Sequence, residues 1–277
     1  MVARTIAEIL SSELGVAVVV INMPGRNGVQ GATDVARADP DGYRLLVADT
    51  TPVNYAPLLH RSLAYDPMRD FTFLSILIDM PLAFAAHPSS PFDTVPEFVE
   101  AARAEPGRYS FGSGSALLQM PGEMLKIREG IDIVSIPYKG GSPSYQDAIG
   151  GHIDTVFGGI GPLTPLIEAG MLKGLAVTGV ERAPSLPDVP TMIESGYENF
   201  TAGTWFGILG PRDIPGDVVQ KLTAALAEVA MHEKWLALAD RVGGVVTIIS
   251  GDEFRKRVLM DNEQIVPAIE AAGLTAK

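Results

Sequence analysis

Cysteine is absent from this 277-residue sequence, which excludes disulfide scaffolds, thiolate metal sites and cysteine nucleophiles. Basic residues are few: 21 lysines and arginines stand against 33 aspartates and glutamates, and the net charge is −12. Such a chain is poorly suited to nucleic acid or an anionic membrane, so we expect no nucleic-acid partner. No uninterrupted apolar run approaches the roughly 18 residues that a membrane span requires. Apolar residues still make up 47 % of the chain, which predicts a folded globular protein.

Motifs of catalysis are also scarce. The four histidines lie far apart, at His60, His87, His152 and His232. No pair of them has metalloprotease spacing. The serines of Gly112–Ala116 and Gly140–Ser144 miss the nucleophile-elbow pattern, and no phosphate-binding loop of the P-loop type is present. The sequence therefore predicts no catalytic residue, no cofactor and no metal site.

The first 15 residues predict an amphipathic helix. One helical face carries Val2, Ile6, Ile9, Leu10 and Leu14, and Gly15 is a typical C-terminal stop. A secretory signal would instead show a continuous apolar block after basic residues, so we identify no signal peptide in this segment.

Strand-like and helix-like segments then alternate. The β-branched run Val16–Ile21 predicts a strand that is covered on both faces, and a turn follows at Asn22–Gly28. Further strands are predicted at Tyr43–Ala48, Phe71–Ile78, Arg108–Phe111, Ile131–Ile136, Ile153–Phe157, Gly174–Thr178, Trp205–Leu209 and Val245–Ile249. Beyond Pro215 the pattern becomes mainly helical, with helices at Asp217–Val229, His232–Arg241 and Asp252–Ala272. Alternation at this spacing predicts the α/β class with mainly parallel sheets.

Two stretches have the character of passages between lobes. They are Ile78–Pro81, within a long apolar stretch, and the segment Gly196–Trp205, which is rich in Gly, Asn and Thr. They predict one lobe formed by residues 1–79 and 204–277 and a second formed by residues 80–203. Surface loops on a single domain would give the same pattern.

Four predicted strands end in small or hydroxyl-bearing residues that lead into a helix. These loops are Asp49–Thr51, Gly112–Ser115, Tyr138–Ser142 and Gly158–Gly161. Ligands of parallel α/β sheets bind at the carboxyl ends of the strands, where helix N-termini favour a carboxylate. Glycine and serine are also ordinary turn and cap residues, so a purely structural role stays open.

An ordered series of motifs resembles a known family. The series is Asn22–Gly28, Pro40–Tyr43, Tyr65–Phe71, Ile136–Gly140, Ala176–Thr178, Leu186–Thr191 and Thr204–Gly207. Together these segments look like the Bug family, the solute-binding receptors of tripartite tricarboxylate transporters. The similarity extends from Met1 to about Gly273.

The resemblance implies a type II periplasmic-binding-protein fold with two lobes, parallel-rich sheets and a ligand cleft between the lobes. It implies a monomeric periplasmic receptor that binds a small carboxylate without catalysis and delivers it to a membrane permease. The terminal helix would pack back on the first lobe, and Trp205 is interpreted as hinge packing. Two alternatives remain: an α/β enzyme acting on a small acid in the same cleft, and a binding-impaired or sensory relative.

Family positions carried over to this sequence predict the binding loops. They are Thr50 and Thr51 from the first lobe, and Ser113, Gly114, Ser115, Ala116, Lys139, Gly158, Gly159 and Ile160 from the second. The hallmark Tyr138–Gly140 could equally fix a strand end.

The sequence departs from the family pattern in two places. Relatives open with a strand that ends in a Pro-Phe and Ala-Gly-Gly loop, a principal carboxylate-binding element, whereas this sequence begins at the following helix. We therefore expect either a late start or an impaired site. Relatives also often carry hydroxyls and a histidine where this sequence has Ala116–Gln119. This difference predicts either a less polar ligand end or core positions for Leu117 and Leu118.

Overall fold

Helices and strands alternate throughout the computed structural model of the protein, which describes residues 1–25, 28–60 and 62–275. The helices are α1 (Val2–Leu14), α2 (Val29–Ala36), α3 (Ala56–Leu59), α4 (Pro67–Asp70), α5 (Val95–Ala104), α6 (Ala116–Glu129), α7 (Gly141–Ile149), α8 (Ile160–Glu168), α9 (Gly216–Met231), α10 (Glu233–Val242) and α11 (Gly251–Ala271). A π-helical turn at Thr51–Tyr55 precedes α3. The strands are β1 (Leu46–Ala48), β2 (Phe71–Ala86), β3 (Ser110–Ser113), β4 (Val134–Pro137), β5 (Thr155–Gly159), β6 (Lys173–Val177), β7 (Gly203–Pro211) and β8 (Val245–Ser250).

The predicted first helix is confirmed. Helix α1 buries Ile6, Ile9 and Leu10, and Gly15 ends it in the left-handed conformation with φ of 66°. Within the described ranges, none of the helices combines the length and apolarity that a bilayer crossing needs. Arg26 and Asn27 of the predicted turn lie outside the described residues.

Strand β2 is shared by two sheets. Its first half lies between β7 and β8, and β7 also pairs with β1, so the first sheet has the order β1-β7-β2-β8. Its second half lies between β6 and β5, and the second sheet continues through β3 to β4. Each sheet with its helices forms one lobe. The residue boundaries of the lobes stay a prediction.

The α/β class and the two-lobed binding-protein fold are confirmed, but the expectation of mainly parallel sheets needs correction. In the described residues only the pairs β3·β4 and β3·β5 are parallel. Strand β2 runs antiparallel to all four of its neighbours, and β7 runs antiparallel to β1. The reason is that β2 and β7 run in opposite directions as they cross between the lobes, which alternation of strands and helices along the sequence cannot reveal.

The predicted strand at Val16–Ile21 is wrong. No described residue pairs with this segment as a strand, and Val16, Val19 and Ile21 are 54 %, 77 % and 72 % exposed. A side chain provides the only hydrogen bond found for its backbone in the described residues, from the amide of Val18 to Ser11 Oγ at 2.9 Å. β-branched residues favour a strand only where a neighbouring strand and a covering layer are available. Among the described residues no strand lies beside this segment, and only Val18 of its side chains packs against the first-lobe core.

The last helix belongs to both lobes. Phe254 and Val258 of α11 pack in the core beneath the first sheet. Ile265, Ala268 and Ile269 pack instead in the core of the second lobe. The prediction that this helix packs back on the first lobe therefore holds only for its first half, because the helix is long enough to pass from one core to the other.

Candidate functional site

The loop after β1 brings Thr50 and Thr51 to the crossing between the lobes. Thr50 is 3 % exposed, and its hydroxyl lies 3.0 Å from that of Thr204 at the start of β7. Thr51 is half-buried and its amide donates to Asp49 Oδ1 at 2.7 Å. Because the Thr50 hydroxyl already has a protein partner, Thr51 is the more available of the two.

The loops after β3 and β4 lie against each other. The amide of Gly140 donates to Gly114 O at 3.1 Å, and a Cβ built on Gly114 would lie 2.2 Å from the carbonyl carbon of Gly140. Ser113 is 6 % exposed, and its hydroxyl accepts from Ser135 Oγ and donates to Ile136 O. Ser113 and Gly114 therefore hold the loops in shape.

Ser115 begins helix α6 and presents the free polar group of this loop. Its side chain is exposed and accepts weakly from the amide of Leu118 at 3.4 Å. Ala116 and Leu117 are half-buried, whereas Leu118 belongs to the second-lobe core. Of the two interpretations of this segment, the core position is thus correct for Leu118.

Lys139 is exposed in the loop between β4 and α7. Its neighbour Tyr138 donates its hydroxyl to Asp147 at 2.7 Å and its amide to Ser113 O at 2.8 Å. Burial raises the pKa of Tyr138 to about 12, and the hydrogen bond to Asp147 adds to this. The tyrosine anchors the strand end, and Lys139 brings a positive charge to the loops.

The third glycine loop is largely enclosed. Gly158 is buried, and a Cβ there would lie 2.5 Å from the Tyr145 hydroxyl. Ile160 is 1 % exposed in the second-lobe core and lies close to Gly243, which follows α10. Gly159 is half-buried and its backbone begins α8 without a side-chain cap.

The three second-lobe loops share one edge of the second sheet. Ser113 pairs with Pro137, and Gly112 pairs with Val156, so β3, β4 and β5 end side by side. Helices α6, α7 and α8 all begin there, and neither α7 nor α8 has a side-chain cap. Free N–H groups and the partial positive charge of helix N-termini suit a carboxylate.

A charged cluster that the sequence did not reveal lies at the crossing. Arg257 of α11 donates to Asp79 at 2.9 Å and to Asp261 at 2.9 Å, and Asp261 accepts from Trp205 Nε1 at 3.1 Å. Burial raises the pKa of Asp261, and Arg257 opposes this effect. Burial alone would lower the pKa of Arg257, but the two carboxylates raise it. The guanidinium is therefore fully committed to protein carboxylates.

A cavity of about 30 Å³ connects this cluster to Thr50 and to Met120 and Met124 of α6. It places the first-lobe loop opposite α6 of the second lobe. A larger open depression of about 930 Å³ lies beside α2 and contains none of the predicted binding residues. Among the described residues, no group of three or more His, Asp or Glu side chains is arranged to hold a metal ion.

Comparison with known proteins agrees with this architecture. The family model described as the tripartite tricarboxylate transporter family receptor, TctC, matches residues 2–247. A UPF0065 protein of Agrobacterium vitis is 35 % identical over 227 residues, which cover 81 % of this chain and 65 % of the relative. Protein BugT of Bordetella pertussis is 30 % identical over 268 residues, 95 % of this chain and 81 % of BugT. The chain thus spans less than two thirds of the Agrobacterium relative's length.

Solved structures superpose over nearly the whole chain. A TctC solute-binding protein from Polaromonas without ligand has a TM-score of 0.88 at 25 % identity, over 96 % of this chain and 91 % of that one. An R. palustris protein with adipate has a TM-score of 0.77 at 26 % identity, over 100 % and 93 %. MatC of Rhodopseudomonas palustris with bound malate has a TM-score of 0.68 at 28 % identity, over 98 % and 92 %. The resemblance found in the sequence motifs is confirmed, and the chain belongs to the tripartite tricarboxylate transporter receptor family.

Proposed function

We propose that this protein is a periplasmic solute-binding receptor that holds a small carboxylate between its lobes, without converting it, and delivers it to a membrane permease. The family membership supports a receptor, and the adipate and malate in two related structures support a carboxylate ligand. Small dicarboxylates are therefore the first candidates.

The observation that carries this proposal is the common edge at which α6, α7 and α8 begin. Three helix N-termini concentrate N–H donors and partial positive charge in a protein whose net charge is −12. Anion binding here must depend on such local dipoles, because the overall charge repels an anion.

Each predicted residue has a proposed part in this site. The hydroxyl of Ser115 and the ammonium of Lys139 contact the ligand from the second lobe, with the half-buried Gly159 beside them, and Thr51 contacts it from the first. Thr50, Ser113, Gly114, Ala116, Gly158 and Ile160 form the walls and shape the loops. This division follows from which polar atoms are exposed and which already have protein partners.

The arrangement of serines and histidines supports binding without catalysis. No described histidine bonds to Ser113 or Ser115. A Ser–His contact does occur, with Ser89 Oγ 2.7 Å from His87 Nδ1, but in an exposed turn just after β2. Since Ala86 pairs with Thr155, where β5 begins, this turn lies at the opposite edge of the sheet from the glycine loops.

A thermal-shift screen against mono-, di- and tricarboxylates, with mass spectrometry of the ligand afterwards, tests the function. We expect a dicarboxylate to stabilise the protein by about 2.7 kcal/mol at a hundredfold excess over Kd, with the ligand recovered unchanged. Conversion of the ligand would establish the enzyme alternative. A screen without any hit would overturn the proposed ligand class and favour a binding-impaired or sensory relative.

Matched variants test the site itself. Ser115→Ala should weaken binding about tenfold through loss of one charge-assisted hydrogen bond. Thr94→Ala is its control, because Thr94 caps α5 through the amide of Glu97 at 3.3 Å, away from the loops. Lys139→Gln should also weaken binding, whereas Lys221→Gln, at an exposed position of α9, should not. If a variant and its control changed the ligand affinity equally, the ligand would not bind at these loops.

A further inference from the structure

We propose that bending between the lobes is confined to Met80–Pro81 of β2 and Gly203–Thr204 of β7, here called the hinge window. The two crossing strands are locked by side chains immediately on each side of this window. The inference rests on the proposed receptor function only in assuming that the lobes move, and it concerns the protein without ligand.

A single buried threonine forms the lock on the second-lobe side. Thr178 follows β6 and is 1 % exposed. Its amide donates to Leu82 O at 2.8 Å, and its hydroxyl accepts from Leu82 N at 2.8 Å. The same hydroxyl donates to Ala202 O, and Ala202 N donates to Thr178 O at 3.2 Å. Thr178 therefore joins both crossing strands to each other and to the second sheet.

The charged cluster forms the lock on the first-lobe side. Asp79 and Trp205 pair directly across β2 and β7. Arg257 reaches Asp79 with both terminal nitrogens, at 2.9 and 3.3 Å, while Asp261 accepts from Trp205. With side-chain exposures of 28 % for Arg257, 22 % for Asp79 and 13 % for Asp261, the cluster is partly buried. One helix, α11, thus holds β2 and β7 at directly paired positions, through Arg257 and Asp261.

Between the locks, Thr204 bonds through its hydroxyl to Thr50 of the first-lobe loop, and the two strands are joined to each other by backbone pairing. Met80 pairs with Thr204 and Pro81 with Gly203. Pro81 has no amide hydrogen to donate, and Gly203 has a φ of 140°, which L side chains rarely adopt. A Cβ on Gly203 would lie 2.4 Å from Met80 O, so the strands can approach this closely only with glycine there. Backbone rotation is easiest in this window because the adjoining residues are held on both sides.

Helix α11 is a third connection, so its contact with α6 must adjust when the lobes move. Beyond Asp261 the helix packs into the second-lobe core through Ile265. Met120 and Met124 of α6 line the 30 Å³ cavity at this contact. Methionine is unbranched and adapts to changed surroundings, and the cavity leaves space for the change. The α6–α11 contact can therefore slide without separating.

Interlobe distance in the ligand-free protein tests the hinge window. The sequence has no native cysteine, so Glu100→Cys on α5 and Gln220→Cys on α9 place one spin label on each lobe. Removing either lock, by Thr178→Val or Asp261→Asn, should widen the distance distribution about twofold.

The matched control is Thr155→Val. Thr155 is fully buried in the second sheet and donates its hydroxyl to Ser110 O at 2.9 Å, so its loss removes a similar hydrogen bond away from the window. The interlobe distance distribution of Thr155→Val should have the same width as that of the parent protein. Equal widths for Thr178→Val and Thr155→Val, or an unchanged width for Asp261→Asn, would overturn the proposal.

A second measurement needs no substitution in the locks. Amide hydrogen exchange of the parent protein should be roughly tenfold faster at Met80, Gly203 and Thr204 than at Ile78 and Phe206 in the same strands. Uniform exchange along both strands would contradict a confined window. Neither readout uses a ligand, so a protein that fails to bind carboxylates and a protein without a hinge window are distinguished.

Discussion

Val16–Ile21 and the segment around β5 were both predicted to be strands, but only β5 forms one. Val16–Ile21 has five β-branched residues in six and β5 has two in five. Even so, β5 lies between β2 and β3 with Val156 fully buried, whereas Val19 is 77 % exposed. The difference lies in the neighbours: β5 has a strand on each side and core on its faces, whereas the first segment has no paired strand among the described residues and only Val18 is packed against a core. Strand formation therefore depends on long-range partners as much as on side-chain type.

Amide exchange should separate the two segments by the largest margin. The amides of β5 should open only with global unfolding, at about 5 kcal/mol or more, whereas those of Val16–Ile21 should open with free energies near zero. The amide of Val18, bonded to Ser11, is the internal control and should be intermediate. Strong protection of Val19 and Val20 in a monomer would show that the segment has a strand partner after all.

The loops after β3 and β4, which lie beside β5, are too close together at Gly114 and Gly140 to accommodate an added methyl group. Gly114→Ala should destabilise the protein by about 3 kcal/mol in urea unfolding, because its Cβ would meet the backbone of Gly140 at 2.2 Å. Gly216→Ala is the control: no atom lies within 4 Å of a Cβ there and the residue begins α9, so the change should stay within about 0.5 kcal/mol. If Gly114→Ala lowered the unfolding free energy as little as Gly216→Ala does, the two loops would be able to move apart at no cost.

Replacing one methyl group by a hydroxyl in each segment should give the smallest difference in unfolding free energy that still distinguishes β5 from Val16–Ile21. Val156→Thr places an unpaired hydroxyl in the second-lobe core and should cost about 2 kcal/mol. Val19→Thr leaves the hydroxyl in water and should change the unfolding free energy by less than about 0.5 kcal/mol. A comparable loss at Val19 would place that side chain against a protein surface.

Local signals in the sequence predicted the elements that depend on local physics. Helix α1 and its terminating Gly15 follow from periodicity and backbone preference, and Thr94, a residue type favoured at helix starts, caps α5. The full length of β2 was harder to predict because Pro81 interrupts the pattern. The strand continues through it at the position where it exchanges one sheet for the other.

The candidate site was predictable to a similar extent. Small residues between a strand and a helix marked the loops that meet at the edge of the second sheet. Their packing roles were not visible, because Ser113 and Gly114 are engaged by a loop more than 20 residues away. The Arg257 cluster gave no signal either, since its partner Asp79 is 178 positions distant.

The order of strands in the first sheet has a consequence for synthesis of the chain. Leu46 of β1 pairs with Leu209 of β7, whereas every strand of the second sheet is complete by Val177. At translation rates of about 5–20 residues per second, β1 waits about 8 to 30 seconds for its partner. The second sheet can therefore form on the ribosome while β1 is still unpaired, so we expect the amino-terminal segment to be open to chaperones and proteases during this interval.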